Sequence, residues 1–174
     1  NPRRNLSVGA EINMEGLTVV LLDLHSKVIY EQEELLEKPE RNAVLNQLTR
    51  MIEEVLRINR LERSQLLGIG ISVQGSVDKE GAISVYNHYI RDWRDVPMKA
   101  LFEEYFGIPV CVMHDPVCIA LAEQWQHKFL EQEDFVLIRL AYGIGMSYMY
   151  KGRPLNGRWV LARNTENLVV DCPK

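Results

Sequence analysis

One carboxylate in this chain stands where a strand, a sharp junction and a helix follow one another. The run Pro109-Val110-Cys111-Val112-Met113-His114-Asp115-Pro116, followed by the apolar stretch 117–122, predicts a buried strand, an acidic residue at its carboxyl end and a helix opening on Pro116. Proline suits the first helical position, and an aspartate beside it can accept from the orphan N–H groups just inside. Ligands of open α/β sheets bind outside the carboxyl ends of strands. Asp115 therefore fits two roles, a general base or hydroxyl acceptor on one side and a helix cap on the other. A second loop of this kind follows residues 67–73. There Gln74-Gly75-Ser76-Val77-Asp78 leaves a continuous apolar run, and the amides of Gly75 and Ser76 either face a ligand or make a simple turn.

The elements that must position these residues follow from periodicity. Residues 6–12 and 17–24 are β-rich runs separated by Glu15-Gly16, and 27–31 follows a His25-Ser26 turn, which predicts an antiparallel meander of three strands. A helix over about 40–60 carries Leu45, Leu48, Ile52, Val55 and Leu56 on one stripe, with charges opposite. Asp95-Val96-Pro97 opens a helix with Met98, Leu101, Phe102 and Tyr105, which Gly107 ends. The strand ending at His114 and a helix to about residue 130 complete a β-α-β-α-β-α series. The class is α/β, a mixed sheet with helices on both faces. At Glu131-Gln132-Glu133-Asp134 the composition turns polar, placing a boundary between a first lobe, 1–132, and the beginning of a second, 133–174. Strands over 135–141 and 146–150, with a turn at Lys151-Gly152-Arg153-Pro154, start a second sheet that these residues do not finish.

Composition removes several classes. A net charge of -4 and a lone basic pair, Arg3-Arg4, exclude nucleic-acid binding by this segment itself. No apolar run reaches the roughly 18 residues of a membrane span, so no membrane partner is expected. The three cysteines, Cys111, Cys118 and Cys172, lack C-x-x-C spacing and are expected as reduced thiols in a cytoplasmic protein, two of them in the core. No metal site and no cofactor are expected. The chain opens Asn1-Pro2 without an initiator methionine, so it is expected to be a piece of something longer.

In order and spacing, these pieces resemble the ROK family (repressors, open reading frames and kinases), which shares the actin-like, ribonuclease-H-like, two-lobed sugar-kinase fold. The residues that carry the resemblance are Gly68-Ile69-Gly70-Ile71-Ser72-Val73-Gln74-Gly75-Ser76-Val77-Asp78 with Gly81 and Ile83, then Trp93, Pro97-Met98 and Leu101. Gly107-Ile108-Pro109-Val110, His114-Asp115, Ala120-Leu121-Ala122-Glu123 and Gly143-Ile144-Gly145 follow. The opening resembles most the repressor branch that controls N-acetylglucosamine and glucose-uptake genes. In that branch a winged helix-turn-helix precedes the sugar-binding fold, so DNA contact is expected only through such a domain upstream of Asn1.

The departures from the family pattern carry as much as the matches. Kinases open with an Asp-x-Gly-Gly-Thr-type loop, where this chain has Glu11-Ile12-Asn13-Met14-Glu15-Gly16. Bulky Met14 and the extra carboxylate crowd and repel a triphosphate, so no phosphoryl transfer and no enzyme activity are expected. Asn164 and Asn167 stand where the family carries a sugar-binding Glu and a zinc-ligating His, and Asn is a poor zinc ligand. Tyr89 takes the place of the kinase asparagine before Trp93, and His114 takes the place of another. Gly143 and Gly145 resemble a second-lobe phosphate loop, but without the first loop a plain hairpin is expected. The resemblance implies sugar contacts at Asp115, His114, Gly75, Ser76, Tyr89, Asn164 and Asn167. It implies a sensing and oligomerising segment of a sugar-metabolism regulator, with weak or altered binding of a sugar or sugar phosphate. The alternatives are a ROK sugar kinase and a ROK-fold interaction domain that no longer binds sugar.

Overall fold

The computed structural model describes residues 5–78, 82–127, 133–141 and 143–155. The chain divides into two compact units, residues 1–114 and 115–174.

The first unit is built on a meander. Strands β1 (Leu6–Ile12), β2 (Gly16–Leu22) and β3 (Val28–Leu35) pair antiparallel in sequence order. Strict alternation along β1 and β2 turns Leu6, Val8, Ile12, Leu17, Val19 and Leu21 inward. Helix α1 (Arg41–Ile58) lays Leu48, Met51, Ile52 and Val55 into the same core and packs on β2 and β3. The chain then crosses over to β4 (Leu66–Val73), parallel to β1, and after a second crossover to β8 (Val110–His114), parallel to β4. The five-stranded order is β3-β2-β1-β4-β8, a mixed sheet as the sequence pattern predicts.

Between β4 and β8 lies a small antiparallel sheet of β5 (Ser76–Val77), β6 (Ser84–Tyr86) and β7 (Arg94–Val96), followed by helix α2 (Met98–Phe106). Asp95 belongs to β7 with φ +47°, so it does not open the helix as its type suggests; α2 starts at Met98. Gly107 ends α2 at φ +70°, the left-handed conformation glycine adopts without a Cβ penalty. Trp93 anchors this insert, its Nε1 donating to Ser84 Oγ at 2.8 Å with both residues buried. Strand β3 runs four residues beyond its expected end, through Gln32, Glu33, Glu34 and Leu35. Polar residues are tolerated there because β3 is an edge strand and Glu34 is bonded to Arg50 and Gln47 of α1.

The second unit holds helix α3 (Asp115–Gln126) and an antiparallel sheet of β9 (Phe135–Leu140), β10 (Ile144–Tyr150) and β11 (Arg153–Pro154), in the order β11-β10-β9. The division at residue 114 differs from the boundary expected after 132, because α3 packs on β9 and β10. Lys151 and Gly152 make the expected turn with positive φ, and Arg153-Pro154 already belong to a returning strand. Among the described cysteines Cys111 is exposed and Cys118 half-buried, so neither is a core residue; alternation along β8 turns Cys111 outward. Among the described residues no helix is long and apolar enough to cross a membrane.

Candidate functional site

In the first unit the carboxyl ends of β4 and β8 lie side by side, with Val73 paired to His114. His114 is buried there. The next residues after β4 form the Gly75 loop. Gly75 has φ +93°, and a Cβ on it would sit 1.9 Å from the Tyr86 carbonyl oxygen. Its glycine is thus demanded by the backbone of the strand opposite, and Ser76 pairs with Tyr86 in the same ladder. Asn87, buried beside Gly75, donates from Nδ2 to the Gln74 carbonyl at 3.4 Å and accepts from the Tyr89 amide at 2.9 Å. The structure therefore brings His114, Gly75, Ser76 and the Tyr89 turn to one end of this unit's sheet, with the Tyr89 ring exposed. Sequence reasoning missed Asn87, whose signal is an asparagine two residues before a turn amide.

Asp115 opens α3 in the second unit and is buried. Its Oδ2 accepts a charge-assisted hydrogen bond from Arg139 Nη1 on β9. Across the hairpin, Arg139 is paired with Gly145. A Cβ at Gly145 would lie 2.8 Å from Pro116 Cγ and 3.7 Å from Arg139 Cβ. Gly145 is therefore where the first turn of α3 settles onto the sheet, and Ala141 N donates to Gly143 O at 3.0 Å between the antiparallel strands β9 and β10. Arg139 was not anticipated; its signal is a lone cation in the apolar run Phe135-Val136-Leu137-Ile138-Arg139-Leu140, on the same alternation as Phe135 and Leu137.

The turn between β1 and β2 is closed by its own side chain. Asn13 Oδ1 accepts from the amides of Glu15 at 2.9 Å and Gly16 at 2.8 Å, while Asn13 N donates to Gly16 O at 3.1 Å. The Glu15 and Gly16 amides are thus engaged within the turn. Gly16 serves close packing, since a Cβ there would lie 2.3 Å from the Glu34 carbonyl oxygen. The adjoining cleft of about 340 Å³ is lined by residues of this turn, of β2 and of β3, Asn13, Glu15, Thr18, Glu33 and Glu34 among them. The Arg50 hydrogen bond holds the Glu34 carboxyl below the usual carboxylate range, against the opposing effect of burial and with help from Gln47 and Gln32.

Asn164 and Asn167 lie outside the described residues. Among those described, no group of three or more His, Cys, Asp or Glu is placed to hold a metal ion.

A model described as the ROK family matches residues 7–162. The DNA-binding transcriptional dual regulator NagC of Escherichia coli K12 is 32% identical over 160 residues, which cover 87% of this chain and 37% of the regulator. The xylose repressor of Bacillus spizizenii is 26% identical over 159 residues, covering 87% of this chain and 40% of the repressor. The chain thus spans about two fifths of the length of these curated relatives, and sugar kinases are also among the curated proteins it matches. In fold it is similar to a ROK family glucokinase from Streptomyces griseus solved with glucose and AMPPNP, with TM-score 0.81 at 21% identity, covering 95% of this chain and 52% of that one. The mixed sheet is that of the actin-like fold these proteins share.

Proposed function

Because the chain belongs to the ROK family, we propose that it is the effector-sensing and oligomerising portion of a transcriptional regulator of sugar metabolism, binding a sugar or sugar phosphate without transferring phosphate to it. The observation that carries this reading is the β1–β2 turn. Its Glu15 and Gly16 amides are satisfied by Asn13, and its glycine is spent on packing. A kinase needs donors at the nucleotide phosphates, and two of this turn's amides are already engaged by Asn13. The regulators among the relatives support the same branch.

In this reading Asp115 and His114 supply polar groups to sugar hydroxyls, with Gly75, Ser76 and Tyr89 adding backbone and ring contacts. Asn164 and Asn167 take weaker neutral roles where the family uses charged ones. Contact with DNA is assigned to a domain outside this sequence, and the protein acts in the cytoplasm as a homo-oligomer. Calorimetric titration with neutral sugars and sugar phosphates tests the sensing role. Saturable binding is expected in the parent, and Asp115→Asn, which keeps the side-chain volume, is expected to weaken it at least tenfold. Unchanged affinity in a folded Asp115→Asn protein removes Asp115 from the ligand and the sensing role with it.

A further inference from the structure

The pair formed by Asp115 and Arg139 is lopsided in a way that bears on ligand choice. The Asp115 side chain is 8% exposed and the Arg139 side chain 29% exposed. The guanidinium is therefore the more accessible member of the pair. Arg139 spends an Nη1 hydrogen on Asp115 Oδ2, and its remaining N–H groups have no partner among the described residues. A guanidinium carries five donors in a planar fork that fits the oxygens of a carboxylate or phosphate. The carboxylate, by contrast, has one oxygen already occupied. Helix α3 opens at Asp115, which puts the positive end of its dipole at the same pair. The tight seat of Pro116 over Gly145, beside Arg139 Cβ, fixes the arginine's stem beneath that first turn.

A neutral sugar needs acceptors as well as donors for its hydroxyls, whereas an anionic group needs donors alone. We propose that Arg139 makes this chain selective for sugars bearing an anionic group, a phosphate or a carboxylate, over neutral sugars. This rests on the sugar-sensing role proposed above and names the ligand class for it. Arg139 is a specificity-determining residue in this assignment. Its cation is held in place by Asp115, and it confers no catalysis.

Calorimetry on the intact protein tests the assignment, with glucose, N-acetylglucosamine and xylose as neutral probes and glucose 6-phosphate, N-acetylglucosamine 6-phosphate and glucuronate as anionic ones. At least one anionic sugar is expected to bind tenfold or more tighter than its neutral parent, the phosphates and glucuronate showing which oxyanion is preferred. Arg139→Gln is expected to abolish that preference, bringing the anionic sugar down to the affinity of its neutral parent. Arg139→Lys, which keeps the cation and loses the fork, serves if Arg139→Gln does not fold; it is expected to narrow the preference for anionic over neutral sugars at least threefold. Neutral sugars binding as tightly as anionic ones, or a preference that survives both substitutions, overturns the assignment and leaves the sensing role standing. If no sugar of either kind binds, both fall together.

Discussion

At the scale of single residues, three side-chain environments set what this chain tolerates. Gly75 is fixed by its positive φ and by the Tyr86 carbonyl where a Cβ would go, so Gly75→Ala is expected to cost at least about 2 kcal/mol in urea unfolding. A loss under about 0.5 kcal/mol would show that the loop relaxes freely. Removing the Trp93 partner by Ser84→Ala leaves a buried indole N–H unsatisfied, with an expected cost of about 1–3 kcal/mol by the same measurement. Asp115→Ala illustrates what sequence alone could and could not tell. As a helix cap its loss would cost about 0.5–2 kcal/mol. The ion pair to Arg139 raises the expectation to roughly 2–4 kcal/mol, since truncation strands a partly buried cation. Asp115 was legible because strand end, acid and proline are neighbours in the chain. Arg139 was not, because its partner is distant in sequence and only strand alternation hints at its inward direction. Asn87 and Asn13 lay within reach, as each is a short polar side chain two residues before a turn amide it accepts from.

At the scale of elements, the long periodic segments followed their patterns. β1, β2, α1 and β4 were legible because alternation or a helical stripe runs through each without interruption. The small sheet of β5, β6 and β7 was not, for strands of two and three residues carry no period, and Asp95 in β7 imitates a helix opening. The far half of β3 was hidden by its charge, which only the contact with α1 accounts for. That contact makes a pH prediction. Glu34 is held below the usual carboxylate range chiefly by Arg50, so its contribution is complete above the pKa of an unfolded glutamate and is lost as pH falls through the depressed value. Arg50 is nearly half exposed, which keeps the effect within about 1 kcal/mol. Glu34→Gln is therefore expected to flatten the decline of stability on acidification below about pH 4.3, and an identical acid limb in both proteins would show the pair to be inert. In the core of the same helix, Leu48 is fully buried, and Leu48→Ala is expected to cost about 2–5 kcal/mol.

At the scale of the whole molecule, the first unit completes a five-stranded mixed sheet and the second presents a three-stranded one whose β9 is an edge among the described residues. Val136, Ile138 and Leu140 stand exposed along β9. Edges and apolar faces of this kind invite pairing with another chain, in keeping with the proposed oligomer, which light scattering at high concentration should find as a dimer or larger; a clean monomer would count against it. Membership of a family that holds both repressors and kinases makes the nucleotide the decisive question, and the proposed absence of phosphoryl transfer rests on the β1–β2 turn, where Asn13 accepts two amide hydrogen bonds. The most direct test is calorimetric titration with Mg-ATP and Mg-ADP to millimolar concentration, in the presence of the same sugars, with ATP turnover followed in parallel. No saturable nucleotide binding and no sugar-dependent turnover are expected. Saturable binding of either nucleotide, or phosphorylation of any sugar in the set, would contradict the account.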